Sequence, residues 1–170
     1  MQKSTLKLIQ IDWEGPFTLE DLIGLQDVTQ DYGIYQIYGK HTVYGKDVLL
    51  YIGKADQQTI GKRILQETWW WDTNDSNNIK IYVGRLGGEK TPQYDEWSIQ
   101  IDLAEKLLIN VHKPAYNSKN LISIPYIKLQ DVHILNWGHY RDLLPELSGL
   151  RWTSMLDHSI YEVYTFNPIE

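Results

Sequence analysis

The chain predicts an α+β fold: a small, mainly antiparallel central sheet flanked by helices, with both ends of the chain packed on that core. Three observations lead there. Two tyrosine-rich runs, GIYQIYG at 33–39 and YIGKA at 51–55, alternate tyrosine and isoleucine between glycines, as hairpin strands do. A further alternating run, IKIYVGRL, occupies 79–86. From about Asp95 to Val111, apolar residues recur at helical spacing, and Pro114 follows as a stop.

Taken in order, residues 5–12 alternate as a strand, and GPFTLEDLIGL predicts a turn and a short helix with Thr18 as N-cap. Strands at 33–39 and 48–53 flank a loop holding Gly39 and GKD. Thr59 then caps a helix running through Arg63 to about 69. WDTNDSNN is a polar loop, the strand at 79–86 follows, and Gly-rich GGEKTP leads into the long helix. Beyond it, IPYIKL, DVHILNW and IYEVYTF read as strands, with a short helix at RDLLPEL. No repeat, low-complexity tract or long linker divides the chain. It is therefore expected to be a single domain over 1–170, with a core at 31–118 and extensions at 1–30 and 119–170. LKLIQIDW and IYEVYTF alternate like half-buried strands, so the extensions should pack on the core or lengthen its sheet.

Composition excludes several functions. The chain has 170 residues, 42% of them hydrophobic, with seven Trp and twelve Tyr, enough to bury a core. It has no cysteine, which removes disulfides, zinc–thiolate sites and thiol nucleophiles. Its start lacks the apolar core of a signal peptide, and no apolar run approaches the roughly 18 residues of a membrane span, so a soluble, cytoplasmic protein is expected. A net charge of −6 disfavours an extended polyanion footprint. The distribution narrows that objection. Residues 31–67 carry five basic and four acidic residues and are the one positive stretch, whereas acids outnumber bases everywhere else. A local basic site on an acidic body suits a few phosphate contacts.

The long helix sets one acid apart. At about 100° per residue, Trp97, Ile101, Ala104, Leu108 and Val111 share a stripe, and Glu105 lies at its edge, whereas Asp95, Asp102 and Lys106 point to solvent. A carboxylate at a core boundary needs an ion-pair partner or a metal.

Gly33-Ile34-Tyr35, then Tyr51-Ile52-Gly53, Arg63 in a helix, Glu105 in a later helix and Asn117 follow one another in an order that resembles the GIY-YIG nuclease family, across about 31–118. WEGPF and NWGHYRDLLPE, on either side, are similar to segments of stand-alone bacterial members. The resemblance implies metal-dependent endonuclease hydrolysis of DNA phosphodiester bonds. The alternative is a catalytically silent module of this fold that binds nucleic acid or a protein partner. Glu105 resembles the family's metal-binding glutamate and would hold Mg²⁺ or Mn²⁺, with waters completing the shell. Arg63 resembles the arginine that forks onto phosphate oxygens, and Lys54 either adds a point charge or is a solvated surface residue. Tyr35 and Tyr51 match the family's two tyrosines. One would position or deprotonate the attacking water, and Tyr35 is favoured, its phenol made more acidic by Lys54 and Arg63. Asn117 braces the site or is a turn residue. Glu67, one turn beyond Arg63, either pairs with it or approaches the metal.

Other signals fail on spacing. GKADQQTIGKR has Asp56 and Arg63 where a phosphate-binding loop needs glycine and a hydroxyl residue. DTNDSNN has Asn77 and Val83 where a calcium loop needs glycine and glutamate. The five histidines show no paired ligand spacing. Trp69, Trp70 and Trp71 suit base stacking, but three consecutive rings cannot share a face.

Overall fold

A computed structural model of the chain describes residues 6–67, 78–87, 95–121 and 129–149. These form six strands, β1 (Lys7–Phe17), β2 (Gly33–His41), β3 (Gly45–Ala55), β4 (Lys80–Leu86), β5 (Val132–Gly138) and β6 (Glu146–Ser148). Two α-helices, α1 (Ile60–Gln66) and α2 (Asp95–His112), and a 3₁₀ turn at Glu20–Gly24 complete them. The sheet runs in the order β3-β2-β4-β1-β5-β6. Every pairing is antiparallel except β1 with β5. The α+β class expected from the sequence is therefore what the chain adopts.

Alternation along the strands divides the apolar residues between two layers. Ile34, Tyr38, Ile52, Tyr82, Ile9, Ile11 and Trp13 join the α2 residues Ile101, Ala104, Leu107 and Leu108 in one core. Tyr35, Ile37, Leu50, Ile81 and Val83 join Leu22, Leu25, Ile60 and Ile64 in the other, under α1 and the 3₁₀ turn. Leu50 and Ile52 lie two residues apart yet belong to different cores. The register of β2 with β3 slips between Ile37 and Tyr38, opposite that step, and one extra residue reverses which side faces which core.

The N-terminal extension joins the sheet: β1 lies inside it, between β4 and β5. It runs to Phe17 rather than ending at residue 12, with a register shift between Glu14 and Phe17. At the start of β2, Gly33 has φ +146°, and a Cβ there would stand 2.1 Å from the carbonyl oxygen of Gly84 on β4, so only glycine lets these strands approach.

Local details differ from the sequence reading. Thr18 does not cap a helix; its N–H and hydroxyl both donate to the Asp21 carboxylate, and the following turn is 3₁₀. Thr59 stands at the N-cap of α1, but its hydroxyl is buried without a hydrogen bond. The first amides of α1 donate to distant carbonyls instead, Ile60 to Asp31 and Gly61 to Leu25, and tertiary contacts replace the side-chain cap. RDLLPEL is not helical. Pro145 supplies no N–H, Arg141 has φ +57°, and the segment turns into β6. The helix expected to reach about 69 ends at Gln66, with Glu67 as its C-cap. The expected strand IYEVYTF, IPYIKL apart from Leu129, and WWW lie outside the described residues. Among the described residues no helix is long and apolar enough to cross a membrane.

Candidate active site

The two tyrosine strands are hydrogen-bonded neighbours, with Tyr35 opposite Gly53 and Ile37 opposite Tyr51. Gly53 has a packing reason to be glycine. A Cβ there would fall 2.5 Å from the Tyr35 hydroxyl and 2.7 Å from the Tyr51 ring. With no side chain between them, the two rings lie 6.1 Å apart, tilted at 35°.

β3 would be an open sheet edge on its far side, but the chain after α2 covers it. Ala115 and Tyr116 donate their N–H groups to the carbonyls of Leu49 and Leu50. Asn117 then completes the edge with its side chain: its amide oxygen accepts from the Ile52 N–H and its NH₂ donates to the Ile52 carbonyl, each at 2.9 Å. The buried carboxamide thus mimics a neighbouring peptide and pins the middle residue of the YIG run. Asn117 braces β3 through these bonds.

Lys54, Ala55, Asp56, Gln57, Gln58, Arg63 and Glu105 line a cleft of about 290 Å³ between the end of β3, α1 and α2. Lys54 reaches α2 and forms ion pairs with Asp102 at 2.9 Å and Asp56 at 3.2 Å. Asp102 also holds Lys106, one turn on, at 2.6 Å, and Asp56 accepts from the Ser98 hydroxyl. Asp102 and Lys106 therefore do not point to solvent as their helical position suggested; β3 passes close enough for Lys54 to draw them in. Arg63 is held by Glu67 at 2.5 Å, one of the two roles open to that acid.

Glu105 is the exception. Among the described residues it makes no hydrogen bond or ion pair, although it is half-buried beside Lys54. Burial is the main reason its carboxyl is pushed up to about 7; the nearby Asp102 and Asp56 add to the rise, and Lys54 and Lys106 oppose it.

The tyrosines behave differently from the sequence expectation. Tyr35 is fully buried, and its hydroxyl has no hydrogen-bond partner. Burial pushes its acidity well away from neutrality, reinforced by Tyr51, Glu67 and Glu105 and only partly offset by Arg63. Tyr51 is half-buried and pushed up to about 12 by burial, Glu67 and Glu105. The expected acidification does not prevail: burial outweighs the lowering effect of Arg63 on both phenols, and Lys54 is drawn onto Asp102 and Asp56.

Among the described residues no group of three or more metal-ligating side chains converges on one point. A single cleft-facing carboxylate lacking an ion-pair partner nevertheless fits a hard cation that keeps most of its water. Sequence reasoning picked Lys54, Arg63 and Glu105, and the fold brings these three onto one cleft, with Tyr51 and Tyr35 on the adjoining strands. It missed Asp56 and Asp102, whose role as anchors of Lys54 depends on how α2 crosses β3. No protein-family model, curated protein or solved structure matches the chain.

Proposed function

We propose that the chain is an endonuclease of the GIY-YIG type, hydrolysing DNA phosphodiester bonds with Mg²⁺ or Mn²⁺. The observation that carries this reading is the meeting of Arg63, Lys54 and an uncompensated Glu105 carboxylate on one cleft at the end of the two tyrosine strands. Once bound, the cation supplies Lewis-acid stabilisation of the phosphate and the leaving oxygen. Glu105 would hold it, and the carboxyl must first lose its proton, so binding strengthens as pH rises through about 7. Arg63 would exchange Glu67 for the phosphate, trading one charge-assisted pair for another, with its planar fork matched to two phosphate oxygens. Lys54 stays on Asp102 and Asp56 and contributes field rather than direct contact. Of the two phenols, Tyr51 is the one water reaches. With its acidity lowered, it orients the attacking water through its hydroxyl rather than as a standing phenolate. Tyr35 packs beneath it.

A second reading, a module of this fold that binds nucleic acid or a protein without cutting, is favoured by one observation: both cleft cations already sit on acids and neither phenol is acidified. Incubating supercoiled DNA with the protein, with and without Mg²⁺ or Mn²⁺, separates the two. Metal-dependent nicking supports the nuclease, and binding without nicking under every condition supports the module.

A further inference from the structure

The far end of the same hairpin carries a second basic cleft. It encloses about 260 Å³ and is lined by Gly39, Lys40, Lys46, Asp47, Asn78 and Lys80. Three lysines face one aspartate. Lys80 is paired with Asp47 at 3.1 Å, and Asp47 also takes Arg141 at 3.3 Å. Lys40 and Lys46 are exposed and have no acidic partner among the described residues. Two uncompensated ammonium groups on a concave surface of an acidic protein form a local anion site. The backbone holds it in shape: Gly45 takes φ +94° and Asp47 φ +57° to turn into β3, and the His41 ring accepts the N–H groups of Val43 and Tyr44.

We propose that Lys40, Lys46 and Lys80 form a second phosphate-binding site that grips the nucleic-acid backbone away from the point of cleavage. The inference rests on the nuclease reading above and adds the length of its substrate footprint. Lys46 and Lys54 lie on one strand, eight residues apart by their numbering. At roughly 3.3 Å per residue the two clefts stand about 26 Å apart along β3. Phosphates on one DNA strand advance about 3.4 Å each along the axis, so about eight nucleotides separate the phosphate at Arg63 from the one at Lys46. A substrate gains from the second cleft only if it extends that far on one side.

The test uses the full-length chain with Glu105→Gln added for binding measurements, so that DNA stays intact. Fluorescence anisotropy compares this background with the same protein carrying Lys40→Glu and Lys46→Glu. The exposed Lys7→Glu, on β1 at the opposite end of the sheet from Lys80, controls for general charge. For a duplex of about 20 base pairs, the double change should weaken affinity by at least ~10-fold and lower the salt slope by about 1 to 2, the share of one or two phosphates. For a hairpin DNA with a stem of about five base pairs, some 17 Å, the two proteins should bind alike. With Glu105 restored, the double variant should need at least ~10-fold more of the long duplex to reach half its maximal cleavage rate. Equal affinities for the long duplex, or a loss no greater than that of Lys7→Glu, overturn the second site while leaving the nuclease intact. Loss of long-duplex affinity that ~1 mM inorganic phosphate reproduces in the parent protein, with no salt-slope change, assigns the cleft to a free phosphate and overturns the footprint. A wild type that neither binds nor cuts DNA fails the nuclease reading itself and takes the footprint with it.

Discussion

Replacing Glu105 by Gln should stabilise the protein, and only above a definable pH. The glutamine keeps the shape but removes the ionisable group. In the folded chain the carboxyl is raised from the ordinary 4.5 to about 7, chiefly by burial. The folded state therefore holds this proton more tightly than the unfolded state does, and as pH rises the unfolded chain gives it up first. Glu105 contributes nothing to the pH dependence below about 4.5, where both states are protonated. Between about 4.5 and about 7 it progressively destabilises the fold. At about 1.4 kcal/mol per pKa unit the loss reaches roughly 3 kcal/mol above that window. Urea unfolding of wild type and Glu105→Gln at pH 4.5, 6 and 8.5, without divalent metal, measures it. The variant should match wild type at the lowest pH and exceed it by about 3 kcal/mol at the highest. Adding Mg²⁺ at pH 8.5 should then raise wild-type stability by RT ln(1 + [Mg²⁺]/Kd) and leave the variant unmoved. A stability difference that is the same at every pH would refute the reasoning, because it would mean that Glu105 is not held uncompensated.

Gly53→Ala should cost about 1–3 kcal/mol in the same unfolding assay, since the new methyl collides with both tyrosine rings. Tyr35→Phe removes a buried hydroxyl that has no partner, so stability should be unchanged or higher by up to ~1 kcal/mol. In single-turnover cleavage, Tyr51→Phe should lose ~10²-fold or more and Tyr35→Phe much less. The opposite pattern returns the water-activating role to Tyr35. Asn117→Ala leaves the N–H and carbonyl of Ile52 unpaired on a covered edge and should cost about 2–4 kcal/mol by denaturant unfolding. A loss below ~0.5 kcal/mol would show that water replaces the carboxamide there.

What the sequence revealed and what it hid divide along physical lines. Period-2 alternation at 33–39 and 79–86 and the helical stripe through Ile101, Ala104 and Leu108 are local signals, and each element formed close to where it was expected. The edge position of Glu105 on that stripe was also legible, because helical geometry alone fixes which side of the core a residue borders. The place of β1 inside the sheet was not, since a parallel pairing with β5, more than a hundred residues later, leaves no mark on local pattern. The capping of α1 was misread for the same reason: Thr59 stands at its N-cap as expected, but the amides of Ile60 and Gly61 found acceptors on Asp31 and Leu25, which only the folded chain brings near. Most consequential was the charge balance. Lys54 looked like a free cation, and only the crossing of α2 over β3 shows Asp102 and Asp56 already upon it, whereas the pairing of Arg63 with Glu67 one turn on was among the roles its spacing allowed. Burial governs the tyrosines.

The most direct test of the central claim is the initial rate of nicking of supercoiled DNA by wild type and Glu105→Gln, across pH 5.5 to 9 with Mg²⁺ and with chelator. The account predicts nicking by wild type in Mg²⁺ alone, rising through about pH 7 as Glu105 ionises, and a loss of at least ~10²-fold in the variant at every pH. Nicking by Glu105→Gln at the wild-type rate, or by wild type in chelator, would contradict it.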